Sequence, residues 1–195
     1  MRTLETPEEL RRAEAAAWEV FRSFGIRTSQ PFRETMEARL LIYPTNYTRL
    51  EPEQFGALAA AAATVGDRSA YLVPYGDPEA GWQGTYDHRL IDLEDFLDYH
   101  KPPNVLVLEH LLYSPQGAWG LATSDAEYAV VGGPQGFVDT LRRHLPQRED
   151  EAVRALVRDC IRDTGRDADY VESWLRPLIE HLYGEDRAAE AWNAG

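Results

Sequence analysis

Among the residues able to do chemistry in this 195-residue chain, the pair Glu109-His110 stands out. It interrupts Val105-Leu106-Val107-Leu108 and Leu111-Leu112, a run otherwise fit for burial on both faces of a sheet. A carboxyl so placed must be hydrogen-bonded or paired, or it takes up a proton, and that makes it a candidate general acid or base. It is equally suited to a structural bond with Arg89 or a backbone group. Strand alternation puts Glu109 and His110 on opposite faces, so one ion would not easily meet both. The five histidines (His88, His100, His110, His144, His181) include no pair one helical turn apart, the spacing zinc sites favour. His88, Glu109 and His110 are the best available trio, and no metal or other cofactor is expected. Ser114 and Ser124 could be set with His110 and Asp125 as a hydrolytic triad, but no Gly-x-Ser-x-Gly elbow supports it. Gly132-Gly133-Pro134-Gln135-Gly136 lacks the Lys and Ser or Thr of a phosphate loop. Cys160, the only cysteine, sits on an inward helical stripe and reads as a small hydrophobe.

The charge pattern points elsewhere. The net charge is −13, and residues 67–100 carry eight carboxylates against two arginines. Such a surface repels nucleic-acid backbones and attracts basic proteins. Aromatic rings lie among these carboxylates, which suits a surface that receives arginine or lysine. The candidate partner-binding residues are therefore Tyr75, Trp82, Tyr86, Asp87, Asp92, Asp95 and Asp98, on a surface between Tyr75 and Tyr99. In residues 145–195 the acidic excess is offset by local pairs such as Asp150 with Arg154, Asp159 with Arg162 and Asp163 with Arg166.

The elements that must position these residues follow from periodicity and punctuation. Thr6, Pro7 and Glu9 open a helix with a capping box, its apolar face running through Leu10, Ala13, Ala17, Phe21 and Phe24 to a stop at Gly25. Strands are expected at Ala38–Tyr43, Ser69–Val73 and Thr85–Ile91, and a helix from Pro52 to Gly66. Pro74–Gly84 reads as a loop, and Asp92 as the cap of a short helix bearing Phe96 and Leu97. Val105–Tyr113, Ala118–Thr123 and Tyr128–Val131 form an antiparallel meander leading into a helix with Phe137, Val138 and Leu141. Two amphipathic helices end the chain, with Pro177 kinking or restarting the second. The expected fold is α+β: an antiparallel sheet of about five or six strands packed by helices on one face, with a C-terminal helical pair. Residues 1–147 form the α+β domain, 148–184 the helical pair packed on it, and 185–195 a flexible tail. No apolar run approaches the ~20 residues that span a bilayer, and no secretory signal is recognised at Met1-Arg2-Thr3, so a cytoplasmic location is expected.

The run from Tyr113-Ser114-Pro115-Gln116-Gly117-Ala118-Trp119-Gly120 through Ser124-Asp125 to Gly132-Gly133 and Phe137 resembles a pattern in immunity proteins of bacterial polymorphic toxin systems. The resemblance covers residues 113–137 and implies a cytoplasmic, non-enzymatic protein that neutralises a toxin domain. The leading expectation is thus a protein-binding module of immunity or antitoxin type with a basic partner. The alternatives are a small enzyme using Glu109 and His110 in a cleft beside the sheet, or a structural subunit of a larger assembly. An exposed apolar face on Val171–Leu182 would favour the subunit, and a pocket with a shifted Glu109 pKa the enzyme.

Overall fold

A computed structural model of the protein describes residues 1–22, 29–74, 88–100, 109–163 and 168–194. The first helix, α1 (Pro7–Val20), begins as its sequence requires: Thr6 Oγ1 accepts the Glu9 N–H (3.2 Å) and Glu9 Oε2 accepts the Thr6 N–H (3.1 Å). The Arg2 guanidinium, and then these Thr6 bonds, hold the Glu9 carboxyl down to about 2. The helix ends at Val20, short of the expected stop at Gly25, because Phe21 turns extended and bridges to Phe32. Their rings stack with centroids 5.7 Å apart, and both are fully buried.

Among the described residues, seven strands form one antiparallel sheet: β1 (Arg2–Thr3), β2 (Ala38–Ile42), β3 (Ser69–Pro74), β4 (Arg89–Asp92), β5 (His110–Tyr113), β6 (Gly120–Ser124) and β7 (Tyr128–Gly133). The order is β1-β4-β3-β5-β6-β7-β2, so the expected meander β5-β6-β7 lies at its centre. The count exceeds the five or six expected by a two-residue strand, β1, too short to leave a periodic mark. The other helices are α2 (Pro52–Thr64), α3 (Phe96–His100), α4 (Gln135–His144), α5 (Glu149–Asp163), α6 (Ala168–Tyr183) and α7 (Glu185–Ala194).

Helices cover both faces of the sheet rather than one. Leu41, Val73, Leu111, Ala122 and Val130 face α1, α5, α6 and α7, while Leu40, Leu72, Leu112, Leu121 and Val131 face α2, α3 and α4. Every residue of β5 and β6 is therefore buried. That is why Leu111-Leu112-Tyr113 reads as an unbroken apolar run rather than an alternating one; Val105–Leu108, the first part of the expected strand, lie outside the described residues. The stripe of α6 (Val171, Leu175, Leu178, Ile179, Leu182) packs on this same chain, with none of the five more than 7% exposed, and Pro177 lies inside the helix without ending it. Residues after Gly184, expected as a flexible tail, instead form α7. Ala188 and Ala191 are buried there, Arg187 lies 4.5 Å over the Tyr183 ring, and Arg187 pairs with Asp150. Asp150 thus takes a partner 37 residues away rather than Arg154, whereas Asp159 pairs with Arg162 as its spacing implies.

Two features explain the segment 113–137. Gly120 and Gly132 pair across β6 and β7 on the α1 face, leaving a hollow. A Cβ at Gly120 would stand 2.5 Å from Val20 Cγ1 and 2.6 Å from Phe21 Cζ, and one at Gly132 2.9 Å from the Phe32 ring. The hollow is the seat of the two phenylalanines. On the opposite face Asp67, following the turn after α2, accepts from Ser114 Oγ (2.6 Å), Gln116 Nε2 (3.0 Å) and Trp119 Nε1 (2.9 Å). All three donors are neutral, and Asp67 is 5% exposed. This carboxyl pins the β5–β6 turn to the α2–β3 turn.

Candidate protein-binding surface

The antiparallel registers gather one end of the sheet. Pro74 pairs with His110, Ser124 with Tyr128 and Ile42 with Ala129, so the end of β3, the start of β5, the β6–β7 turn and the end of β2 lie side by side. Pro74 and His88, which bound residues 75–87, belong to this end too. Tyr75, Trp82, Tyr86 and Asp87, four of the candidate partner-binding residues, lie outside the described residues.

Glu109 and His110 part company here. Alternation sends His110 toward α3, where it is fully buried. Its Nε2 lies 3.0 Å from the Tyr99 hydroxyl and its Nδ1 3.2 Å from Thr123 Oγ1, while the Tyr99 hydroxyl accepts the Leu50 N–H (3.1 Å). The polarity that satisfies the chain has Tyr99 donating to Nε2 and the imidazole proton on Nδ1. His110 is thus a link in a buried chain, not half of a site with Glu109. Among the described residues, no three His, Cys, Asp or Glu side chains converge as metal ligands.

Glu109 extends β5 toward the α5 face and is 6% exposed. Its Oε1 accepts the Asp125 N–H (3.0 Å), a bond to the β6–β7 turn rather than to Arg89. Burial pushes the Glu109 carboxyl up to about 7; the Asp125 N–H pulls it partly back, and the Asp125 carboxylate adds to the rise. Tyr43 and Tyr128 continue the row toward β2, and the Tyr43 hydroxyl donates to Asp159 Oδ2 of α5 (2.9 Å). Burial raises both tyrosines above their ordinary range, so neither supplies a base near neutrality.

This arrangement has a measurable consequence. A carboxyl whose pKa rises on folding binds its proton more tightly in the native state. Its contribution to stability is full below about pH 4.5 and is lost as pH rises through about 7. The expected loss is about 1–2 kcal/mol, discounted from the full shift for solvent screening. Urea unfolding at pH 5 and pH 8 should show that difference in the wild type relative to Glu109→Gln. Equal pH dependence in the two proteins would contradict it.

The exposed groups at this end are acidic and aromatic. Asp125 and Glu127 of the β6–β7 turn are exposed, and neither forms an ion pair among the described residues. Beside them Asn46 and Arg49 exchange backbone bonds (2.8 and 3.0 Å) across a two-residue turn with Tyr47 at its tip, 70% exposed. Thr45 ties the two turns together, its N–H donating to the Glu127 carbonyl (2.7 Å) and its hydroxyl to the Tyr47 carbonyl (2.6 Å). Tyr47 (φ 53°) and Glu127 (φ 59°) are left-handed, a backbone that costs a non-glycine residue about 1 kcal/mol or more. Sequence reading passed over Tyr47. Its one signal is the turn-forming Thr45-Asn46 after Pro44.

The described part of the expected acidic stretch is less available. Asp92 Oδ1 accepts the Glu94 N–H (2.9 Å), and Asp95, not Asp92, caps α3, accepting the Leu97 and Asp98 N–H groups (2.9 and 3.2 Å). Asp98 is 8% exposed and ion-paired with the Met1 amino group, so it is not presented to a partner. Arg2 and Arg68 line the same cavity as Asp92, Glu94 and Asp98, which offsets the charge that looked unbalanced in sequence. Comparison with family models, curated proteins and solved structures returns no match to this chain. Among the described residues, no helix is long and apolar enough to cross a membrane.

Proposed function

We propose that the chain is a non-enzymatic protein-binding module of immunity or antitoxin type, acting in the cytoplasm and neutralising a basic partner at this end of the sheet. The observation that carries it is the tip Tyr47, strained and exposed, set beside Asp125 and Glu127. An aromatic anchor rimmed by carboxylates is the pattern that captures arginine-rich surfaces.

The test is co-expression with the product of the neighbouring reading frame, followed by binding measurements across a salt series. Asp125→Ser/Glu127→Ser should weaken capture about 5- to 10-fold at low salt and flatten the salt dependence. Tyr47→Gly should weaken it about 10-fold without lowering thermal stability, since glycine adopts the left-handed turn freely. Unchanged affinity in both variants would end this reading.

A second reading, a small enzyme, keeps one of its two expected signs: burial pushes the Glu109 carboxyl up to about 7, but Glu109 lines neither the cavity beside β2 nor the one beside β4. It would use Glu109 for proton transfer without His110, which lies on the other face. The subunit reading loses its support, since the α6 stripe is covered by this chain.

A further inference from the structure

Glu109 and Asp125 stand side by side where the start of β5 meets the β6–β7 turn. Glu109 is 6% exposed, its Oε1 accepts the Asp125 N–H (3.0 Å), and the Asp125 carboxyl lies close enough to bond it as well. Asp125 itself is exposed. Two carboxyls this close do not both ionise readily unless a cation joins them. The strands that carry the pair supply none: residues 102–141, which include all of β5, β6 and β7, contain no lysine or arginine.

The groups brought by the neighbouring elements do not fill that role. Ser124 of β6 and Tyr128 of β7 bring hydroxyls. Tyr43, beyond β2, donates to Asp159 of α5 (2.9 Å), and Asp159 already holds Arg158 (3.4 Å) and Arg162 (3.1 Å). Cys160 of α5 adds a thiol near both tyrosines, and Glu127 of the turn adds a further carboxylate near Tyr43. His110 is bonded to Tyr99 on the opposite face. In the free chain the counter-charge is therefore a proton. Burial keeps it on Glu109, whose carboxyl is pushed up to about 7.

We propose that an arginine or lysine of the partner protein docks on Asp125 and takes the place of the proton held between Glu109 and Asp125, so that capture of the partner releases that proton. One counter-charge replaces another: the proton leaves Glu109 for solvent, and both carboxylates then face the incoming cation. Linkage is reciprocal, so affinity rises with pH as Glu109 ionises and levels off about one pH unit above 7. Ionised Glu109 also accepts the Asp125 N–H as a charge-assisted bond, which tightens the turn that Thr45 ties to Tyr47. This rests on the binding-module reading and gives that surface its pH regulation.

The probe is a tetramethylrhodamine-labelled hexa-arginine peptide, titrated by anisotropy into the full chain at pH 5.5 and pH 8 at one ionic strength. The wild type should bind about 3- to 10-fold more tightly at pH 8, and Glu109→Gln should lose most of that difference. Histidines elsewhere contribute equally to both proteins and cancel in the comparison. Carbon-13 NMR of the wild-type Glu109 carboxyl provides a readout free of any substitution: its titration midpoint should fall when the peptide is saturating. Equal pH dependence in the two proteins, or a midpoint that the peptide does not move, would overturn proton displacement. The same peptide separates this from the surface itself. If Asp125→Ser/Glu127→Ser weakens binding while the wild type and Glu109→Gln share one pH dependence, only proton displacement falls. If the double variant binds at full strength, the acidic surface falls with it.

Discussion

Asp67→Ala is expected to lower the unfolding free energy by about 3–5 kcal/mol, measured by urea denaturation at constant m-value. The reason lies in what the substitution leaves behind. Ser114 Oγ, Gln116 Nε2 and Trp119 Nε1 all donate to this one carboxyl, and Ser114 and Trp119 are fully buried. Without an acceptor, each buried donor loses its bond and remains out of water. Asp67→Asn should recover part of the loss, because one carboxamide oxygen still accepts while the amide group confronts a donor. A loss below about 1 kcal/mol for the alanine variant would show that water replaces the carboxyl and that the turn does not depend on it.

The second large effect is one of volume. Gly120→Ala should cost about 2–3 kcal/mol, since the added methyl would meet Val20 and Phe21 at 2.5 and 2.6 Å in a fully buried seam. Combining it with Val20→Ala should return part of the loss, a coupling that chemical denaturation of the single and double variants measures. Gly136→Ala is the internal contrast: that glycine lies in α4 with nothing near its missing Cβ, so the same change should stabilise by a few tenths to about 1 kcal/mol. If both substitutions proved neutral, Phe21 would not be seated in the glycine hollow as described.

What could be read in advance divides along a physical line. The capping box at Thr6 and the helix start at Pro52 are local signals, legible because the partners lie within one turn. Leu111-Leu112-Tyr113 of β5 was also legible, since burial on both faces writes itself into composition. The end of α1 was not: Phe21 continues the helical stripe, and only its bridge to Phe32 and the hollow at Gly120 pull it out. Helix α7 was missed because its buried side chains are two alanines, too small to mark a stripe. Asp67 was invisible as a hub because its donors are 47 to 52 residues away. At the candidate surface, the oddness of Glu109 was plain in sequence but its partner was not. Asp98 reads as surface charge until the fold brings the Met1 amino group to it. Tyr47 gives almost no warning, since left-handed strain belongs to the folded backbone.

The measurement that bears most directly on the binding-module account is amide hydrogen exchange of the complex with the neighbouring gene product, compared with the free chain. Slowed exchange at residues 43–47 and 124–128, with α1 and α5–α7 unchanged, is the predicted result. Protection confined to those helices, with the sheet end exchanging as in the free protein, would contradict it.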